Sequence, residues 1–148
     1  MNAPQASPIN TDTEEEMLET LRLQRESYLA EGQVSAETRI DRLDRTINVL
    51  VANAERISDA MNTDFGCRPR QVNLMTDVTG SLENLKHAKK HLRKWMKAEK
   101  RPSMFPLGLL GGRSSIQYQP KGVVGVIAPW NFSIGYGLRA TCGRYCGG

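Results

Sequence analysis

The chain has 148 residues, of which 39% are hydrophobic, and its formal net charge is +4. This length allows one domain of ordinary size. Arg139 and Arg144 lie in an atypical last stretch, and the other 18 basic residues nearly balance the 16 acidic ones. The charge therefore gives no basis for a nucleic-acid partner. Residues 1–10 are polar with two prolines, so we expect a disordered tail, neither a signal peptide nor a membrane span, and a cytoplasmic location.

Residues 11–101 carry helical patterns. Thr11, Asp12 and Thr13 precede Glu14 to Glu16, a capping-box pattern that predicts a helix running to about Ala30 and stopping at Gly32. A second helix is predicted to open at Ser35. Its apolar stripe favours packing against a neighbouring helix over a coiled-coil seam, because it spans only three heptads. The stripe consists of Ile40, Leu43, Ile47, Leu50, Val51, Ala54, Ile57 and Met61, while Arg39 and other charged residues lie off it.

A third helix is predicted from about Pro69 to Glu99. Its outer face is basic and carries His87 and His91 four residues apart, which could suggest phosphate or metal binding. A solvated helix face is the better interpretation, because stacking aromatics are sparse and no carboxylate or cysteine completes a metal shell. No metal is expected. The predicted apolar face consists of Leu74, Met75, Val78, Leu82, Leu85, Leu92, Trp95 and Met96.

Residues 102–120 are expected to be a connector followed by a strand. Pro102, Pro106 and several glycines break regular structure. Ser114 to Gln119 then alternates as a half-buried strand would. After it, Val123 to Ala128 form a continuous apolar run, which is typical of a strand buried on both faces in a parallel α/β sheet. In such sheets ligands bind where strands end, so Pro129 to Phe132 lie where a site is expected.

The string GVVGVIAPWNF resembles the strand and loop that open the cofactor domain of the aldehyde dehydrogenases. The upstream segments TDFGCRPRQVNLMTDVTGSLENLKHAKKHLRKWM and RSSIQYQPKG resemble, in order and spacing, that family's amino-terminal helices and oligomerisation arm. Among its branches, the bacterial coniferyl-aldehyde dehydrogenases are most similar. The resemblance covers roughly residues 20–137.

The resemblance implies roles for five residues. Asn131 matches an asparagine whose side-chain amide stabilises the negative charge that develops on the substrate oxygen when a cysteine thiolate adds to the aldehyde. Judged from the residues alone, the favoured interpretation of Asn131 is a loop asparagine that caps a turn with its own backbone. The backbone around Ile127, Ala128, Pro129 and Trp130 would line a groove for NAD or NADP. A glutamate would activate the water that hydrolyses the thioester.

The cysteines of this chain do not match the family's nucleophile. Cys67 lies in a turn between two helices, far upstream of the expected position, and is interpreted as an ordinary loop cysteine. Cys142 and Cys146 form a CxxxC pair without a second ligand cluster, so neither a metal site nor a disulfide is favoured. The nucleophile and the base are therefore not expected in this chain.

Residues 133–148 depart from the family, which continues with a proline and an alanine-rich helix. Five glycines in sixteen residues make this stretch a poor helix former. Permitted codons for residues 138–148, read one base later, encode Phe-Gly-Pro-Leu-Ala-Gly-Val-Ile-Ala-Ala, the kind of sequence that the family would have there. The family continues with Gly-Asn, and codons for these two residues can contain a stop codon in the shifted frame, directly after Gly148. We therefore expect a one-base insertion near Gly137 and an out-of-frame tail at 138–148.

These parts predict an α/β protein with amino-terminal helices at 11–101, a connector and arm strand at 102–120, and the first strand and loop of an incomplete Rossmann-like cofactor domain at 121–137. The parent enzyme would oxidise an aldehyde, with coniferyl aldehyde as a candidate, to its acid and would be a homo-oligomer. This chain is expected to be inactive and not to bind the cofactor. The alternative is a non-catalytic helical fragment that pairs with full-length subunits.

Overall fold

The computed structural model describes residues 13–132 and 134–138. The tail expected at 1–10 lies outside them, as does all of the tail expected at 138–148 except Leu138, including Cys142 and Cys146. The chain divides into two compact units, residues 1–33 and 34–148. The described residues of the first unit, 13–33, contain helix α1 (Glu14–Glu31). The second contains α2 (Ala36–Ala52), α3 (Ala54–Phe65), α4 (Arg70–Asn73), a π-helical turn (Leu74–Thr79), α5 (Gly80–Trp95), β1 (Glu99–Arg101) and β2 (Ser114–Ile116).

Helix α1 begins and ends as the sequence predicts. The Thr13 hydroxyl accepts the backbone N–H of Glu16 at 3.3 Å, and the Glu16 carboxylate accepts the backbone N–H of Thr13 at 2.8 Å. This reciprocal capping box satisfies two backbone donors that the first turn leaves unpaired. At the other end Gly32 has a φ of 65°, which glycine adopts without a steric penalty, and its N–H donates to the Tyr28 carbonyl.

The predicted second helix is divided in two at Asn53. Ser35 caps α2 as expected, accepting the Thr38 backbone N–H at 3.2 Å. At Asn53 the side-chain amide donates to the Val49 carbonyl at 2.8 Å, and the backbone turns to a φ of −108° and a ψ of 8°. Asparagine favours such local side-chain bonds over helix continuation, which explains the interruption. Helix α3 then runs to Phe65 and ends at Gly66 in the left-handed conformation.

The core lies where α2 and α5 pack together. The apolar stripes of the predicted helices meet there, so most of the predicted core residues are confirmed. Its buried members are Leu43, Leu50, Val78, Leu85, Ala88 and Leu92. The residues packed against them are Ile40, Ile47, Ala54, Ile57, Leu74, Leu82, Met96, Ile134 and Leu138. The Lys89 ammonium pairs with the Asp44 carboxylate at 2.6 Å across the two helices.

Four residues were placed wrongly by the stripe predictions. Val51, Met75 and Trp95 are 55%, 66% and 38% exposed, whereas Arg39 is buried. Consecutive helical residues lie about 100° apart, so Val51 cannot face the core beside the buried Leu50. Arginine can bury its aliphatic stem against apolar neighbours. A pattern of apolar and polar residues therefore does not predict the burial of Arg39.

The predicted third helix is helical over Arg70–Trp95 but is not one regular α-helix. Its middle, Leu74–Thr79, is a π-helical turn. In and next to that turn the hydroxyls of Thr76 and Ser81 donate to the carbonyls of Val72 and Asp77, four residues earlier, and such bonds distort a helix locally. The helix also stops before Glu99. Residues Glu99–Arg101 instead form β1, which pairs antiparallel with β2, with Glu99 opposite Ile116.

The strand predictions are confirmed in part. Of the strand predicted at Ser114 to Gln119, residues Ser114–Ile116 form β2, and β2 is exposed along its length rather than half-buried. Val123 to Ala128 form no strand in the described part of the chain, and Ile127 is fully exposed, so the prediction of a buried strand is wrong here. A parallel strand needs hydrogen-bonded neighbours and covering helices. The described residues are thus mostly helical with one two-stranded sheet, as expected of an amino-terminal portion of the resembled fold.

Residues 134–138 are helical, contrary to the expectation for the glycine-rich stretch 133–148. Ile134 and Leu138 lie four residues apart and both pack against the core. Helical residues at this spacing share one face. Tertiary packing therefore outweighs the low helix propensity of Gly135 and Gly137 at this place.

Candidate functional site

The predicted site residue Asn131 lies in an exposed 3₁₀ turn formed by Trp130–Phe132. The turn follows Pro129, whose carbonyl accepts the Phe132 backbone N–H at 3.4 Å. Proline favours such a turn because its ring fixes φ near the helical value. We call residues 129–132 the Asn131 loop.

The arginine Arg68 connects the Asn131 loop to the π-helical turn. Its Nη1 donates to the backbone carbonyl of Asn131 at 2.9 Å. Its Nη2 donates to Asp77 Oδ2 at 2.9 Å and to Thr76 Oγ1 at 3.1 Å. The Thr76 hydroxyl also contacts Asp77 Oδ2 at 2.9 Å. One guanidinium thus joins three groups from two segments that are distant in sequence.

Aromatic rings surround the same guanidinium. The Arg68 Cζ lies 5.1 Å from the centroid of the Phe65 ring and 5.5 Å from that of Phe132, distances at which a cation is attracted to a ring. Phe65 also lies 5.9 Å from Trp130, and Phe132 meets Tyr136 edge-on at 6.0 Å. The rings on both sides of Asn131 are therefore anchored to neighbours.

Two buried polar side chains lie behind the loop. Asp77 and Asn73 are both fully buried, and the Asn73 amide donates to the Ser58 carbonyl at 3.1 Å. The Oδ1 atoms of both side chains have no hydrogen-bond partner among residues 13–132 and 134–138. Gly135 approaches this place closely, since a Cβ built on it would lie 3.9 Å from Asp77 Oδ1.

The predicted cofactor residues lie on an open surface rather than in a groove. Ile127 is fully exposed and Trp130 is 78% exposed, while Ala128 is half-buried and Pro129 exposed. The cavity beside Phe132 and Tyr136 has a volume of about 150 Å³. Ligand pockets usually measure roughly 300–1,000 Å³. That cavity is thus smaller than a typical ligand pocket, and none of the predicted cofactor residues lines it.

A second concavity lies along α2, where an open apolar groove of about 530 Å³ is lined by side chains of α2, α3 and residues 134–138. Its lining includes the apolar side chains of Val49, Ile57, Ile134 and Leu138 and the side chains of Arg42 and Arg45. None of the predicted site residues lines it.

Cys67, His87 and His91, the described side chains considered above for metal binding or nucleophilic chemistry, lie apart from the Asn131 loop. Cys67 is exposed and has a free thiol. His87 and His91 stack at 4.2 Å, and His91 stacks on Trp95 at 5.7 Å. Within the described ranges no three histidine, cysteine, aspartate or glutamate side chains are placed to hold a metal ion, and no helix is long and apolar enough to cross a membrane.

Sequence reasoning missed the part played by Arg68 and Asp77. Neither residue belongs to a sequence pattern that predicts a site. Their spacing of nine residues across a turn matches no motif, and the contact with Asn131 joins positions 63 residues apart. Only the folded structure brings these groups together.

Comparison with known proteins identifies similar sequences. The family model described as "Aldehyde dehydrogenase family" matches residues 5–143. A protein of Caulobacter vibrioides named "Probable coniferyl aldehyde dehydrogenase" is 42% identical over 150 residues, covering 100% of this chain and 30% of its own length. "Coniferyl aldehyde dehydrogenase" of a Pseudomonas species is 39% identical over 134 residues, covering 90% of this chain and 27% of its own length. The chain thus spans less than a third of the length of these relatives.

Proposed function

Because this chain belongs to the aldehyde dehydrogenase family, we propose that it is an amino-terminal part of an enzyme that oxidises an aldehyde to its carboxylic acid with NAD or NADP as acceptor. The observation that carries the proposal is the match of the family over residues 5–143. Coniferyl aldehyde is the candidate substrate, because relatives at 42% and 39% identity are named for it.

Asn131 is the residue of this chain that we propose to act in the reaction. Its exposed position on a short turn leaves the side-chain amide accessible to a substrate oxygen. An amide donor that is already in place stabilises charge that develops only in the transition state, and each such donor contributes roughly 3–4 kcal/mol. We propose that Ile127, Ala128, Pro129 and Trp130 contribute one wall of the cofactor groove, which needs further elements of the parent enzyme to reach the size of a dinucleotide.

The 148-residue chain alone is expected not to oxidise aldehydes. Its described free cysteine, Cys67, is exposed in the turn after α3 and does not line the cavity beside Phe132 and Tyr136. The parent enzyme is proposed to be a cytoplasmic homo-oligomer that adds β2 to the sheet of another subunit. The exposure of β2 along its length supports this pairing.

The role of Asn131 can be tested in an active enzyme that contains residues 1–137. Replacement of Asn131 by Ala should lower kcat for coniferyl aldehyde about 10²- to 10³-fold, because the transition state loses a preorganised donor. NADH formation measures the rate. Asn62→Ala, a change at an exposed asparagine of α3, is the matched control and should leave the rate unchanged. An unchanged kcat in Asn131→Ala would remove Asn131 from the mechanism.

Residues 138–148 are proposed to be read out of frame. The proposal is supported by the amino-acid sequence, because codons permitted for residues 138–148 can be chosen that encode a sequence typical of the family when they are read one base later. Resequencing the gene from the codon of Phe132 onward tests it. A continuing frame that encodes the cofactor loop, the glutamate and the cysteine is the expected result, and deletion of one base should then yield an active enzyme. A downstream sequence without such a frame would contradict the proposal and favour the non-catalytic helical fragment.

A further inference from the structure

The side chain of Arg68, from a segment distant in sequence, binds the backbone of the Asn131 loop. Arg68 donates from Nη1 to the Asn131 carbonyl at 2.9 Å, and the two residues are 63 positions apart. Within the loop itself, the described backbone bond is the contact of 3.4 Å from the Phe132 N–H to the Pro129 carbonyl. The Arg68 contact therefore fixes where the loop lies relative to the helices, which its own short turn cannot do.

Arg68 is itself fixed in place. Its side chain is 13% exposed, and the Asp77 carboxylate with which it pairs is completely buried. A charge-assisted bond in such surroundings is shorter and stronger than a neutral one. The Thr76 hydroxyl contacts both partners, and the rings of Phe65 and Phe132 lie within 5.5 Å of the guanidinium carbon. These contacts hold the Arg68 guanidinium in one orientation. The guanidinium in turn holds the Asn131 carbonyl, to which its Nη1 donates.

We propose that Arg68 is the positioning residue of Asn131, an inference that rests on the role proposed above for the Asn131 amide. The backbone carbonyl that Arg68 binds belongs to Asn131 itself. Fixing this carbonyl fixes the peptide plane next to the Asn131 Cα and thereby limits the directions in which the side-chain amide can point. Reaction rates are sensitive to such placement, and an error of about 1 Å can cost a factor of about 100.

The geometry requires arginine rather than any cation. The two terminal nitrogens of Arg68 serve different partners, one the Asn131 carbonyl and the other the Asp77–Thr76 pair. A guanidinium holds its donors in a rigid fork, whereas a lysine ammonium is a compact charge on a flexible stem. Lysine can keep the ion pair with Asp77, but it cannot hold the loop at the same time in the same geometry.

The first test uses the 148-residue chain and needs no catalytic activity. Amide hydrogen exchange at Phe132, followed by NMR, reports the opening of the loop. Arg68→Ala and Arg68→Lys should raise this exchange about tenfold or more, the loss expected for a hydrogen bond to a charged donor. Exchange in α2 and α5 should stay unchanged. Arg70→Ala is the matched control, because Arg70 pairs with Glu55 and Asp59 of α3.

Each outcome of the exchange experiment decides the proposal. Faster exchange at Phe132 in both Arg68 variants, with the Arg70 variant unchanged, supports it. Unchanged exchange at Phe132 in a folded Arg68 variant overturns it. If Arg68→Ala fails to fold, the result of Arg68→Lys decides, since lysine retains the charge opposite the buried Asp77.

A second test separates this proposal from the proposed function. In the active enzyme containing residues 1–137, Arg68→Ala should lower kcat about 10- to 100-fold with a smaller effect on KM, and added guanidinium ion should restore part of the rate. If Arg68→Ala loosens the loop but Asn131→Ala leaves kcat unchanged, the role of Asn131 fails and the structural hold by Arg68 stands. If kcat falls without faster loop exchange, or guanidinium restores nothing, the positioning proposal fails.

Discussion

The side chain of Glu16 makes the stability of the start of α1 depend on pH. The backbone N–H of Thr13, followed by its side-chain hydroxyl, donates to the Glu16 carboxylate, and these bonds lower the pKa of Glu16 below its ordinary value. The hydrogen bonds stabilise the charged form of the carboxyl in the helix, and the same carboxyl lacks these bonds in the unfolded chain. A carboxyl with a lowered pKa in the folded state stabilises that state above its unfolded pKa, and the contribution is lost as the pH falls through the lowered value.

We therefore predict that the start of α1 loosens on acidification below the ordinary pKa of glutamate. Amide exchange at Thr13, whose N–H binds Glu16 Oε2, should speed up as Glu16 is protonated. Glu16→Gln keeps an acceptor oxygen but does not titrate, so its exchange, corrected for the intrinsic pH dependence, should stay flat. Thr13→Ala should weaken the helix by about 1 kcal/mol at every pH. Identical pH profiles for the wild type and Glu16→Gln would contradict the prediction.

Single residues differ in how far the sequence reveals them. Thr13 and Ser35 were predictable as helix caps because capping is a local interaction, and both are confirmed. Asn131 could be proposed from a short string that resembles a family. Arg68 could not, because its importance comes from a contact across 63 residues and from the burial of Asp77. Local chemistry can be read from sequence, whereas such tertiary contacts require the fold.

At the scale of elements, the helix predictions hold where a periodic apolar stripe continues and fail at its interruptions. The stripes of α2 and α5 predicted the core correctly. The division at Asn53 and the π-helical turn at Leu74–Thr79 depend on individual side-chain bonds to carbonyls, which leave the apolar period almost intact. The turn also places Thr76 and Asp77 toward Arg68, and π-helical turns are frequent at functional sites.

The segment 123–128 shows the limit of predicting strands from composition. Its apolar run is typical of a strand buried on both faces, yet in this chain it forms no sheet. β1 and β2 pair because they can meet across a connector, with Lys100 opposite Ser115. A central parallel strand instead needs neighbours contributed by later parts of a sheet. The apolar run therefore indicates that residues 123–128 need neighbouring strands and covering helices, and it does not predict that they form a strand without them.

At the scale of the whole molecule, the distribution of apolar surface is unusual. The segment 104–110, which we call the apolar loop, carries five large hydrophobic side chains that are 54–79% exposed. They are Met104, Phe105, Leu107, Leu109 and Leu110. Single exposed apolar residues are normal, but a contiguous group marks an interaction surface or a liability to aggregate. The relatives are more than three times as long as their matched part, so a full-length enzyme has further chain that can cover this loop.

We predict that the 148-residue chain self-associates through the apolar loop as its concentration rises. Burying large apolar side chains gains roughly 1.5–3 kcal/mol each relative to exposing them, so a few such contacts favour association. Leu109→Asp combined with Leu110→Asp should lower the average mass measured by sedimentation, because each added carboxylate must be desolvated at the contact. Asn62→Asp with Gln71→Asp adds the same charge at exposed polar positions and should leave the mass unchanged. A wild-type chain that sediments as a monomer at all concentrations would contradict the prediction, because the apolar loop would then stay exposed to water without causing association. If both double variants lower the average mass equally, the added negative charge causes the effect and the apolar loop is not the contact.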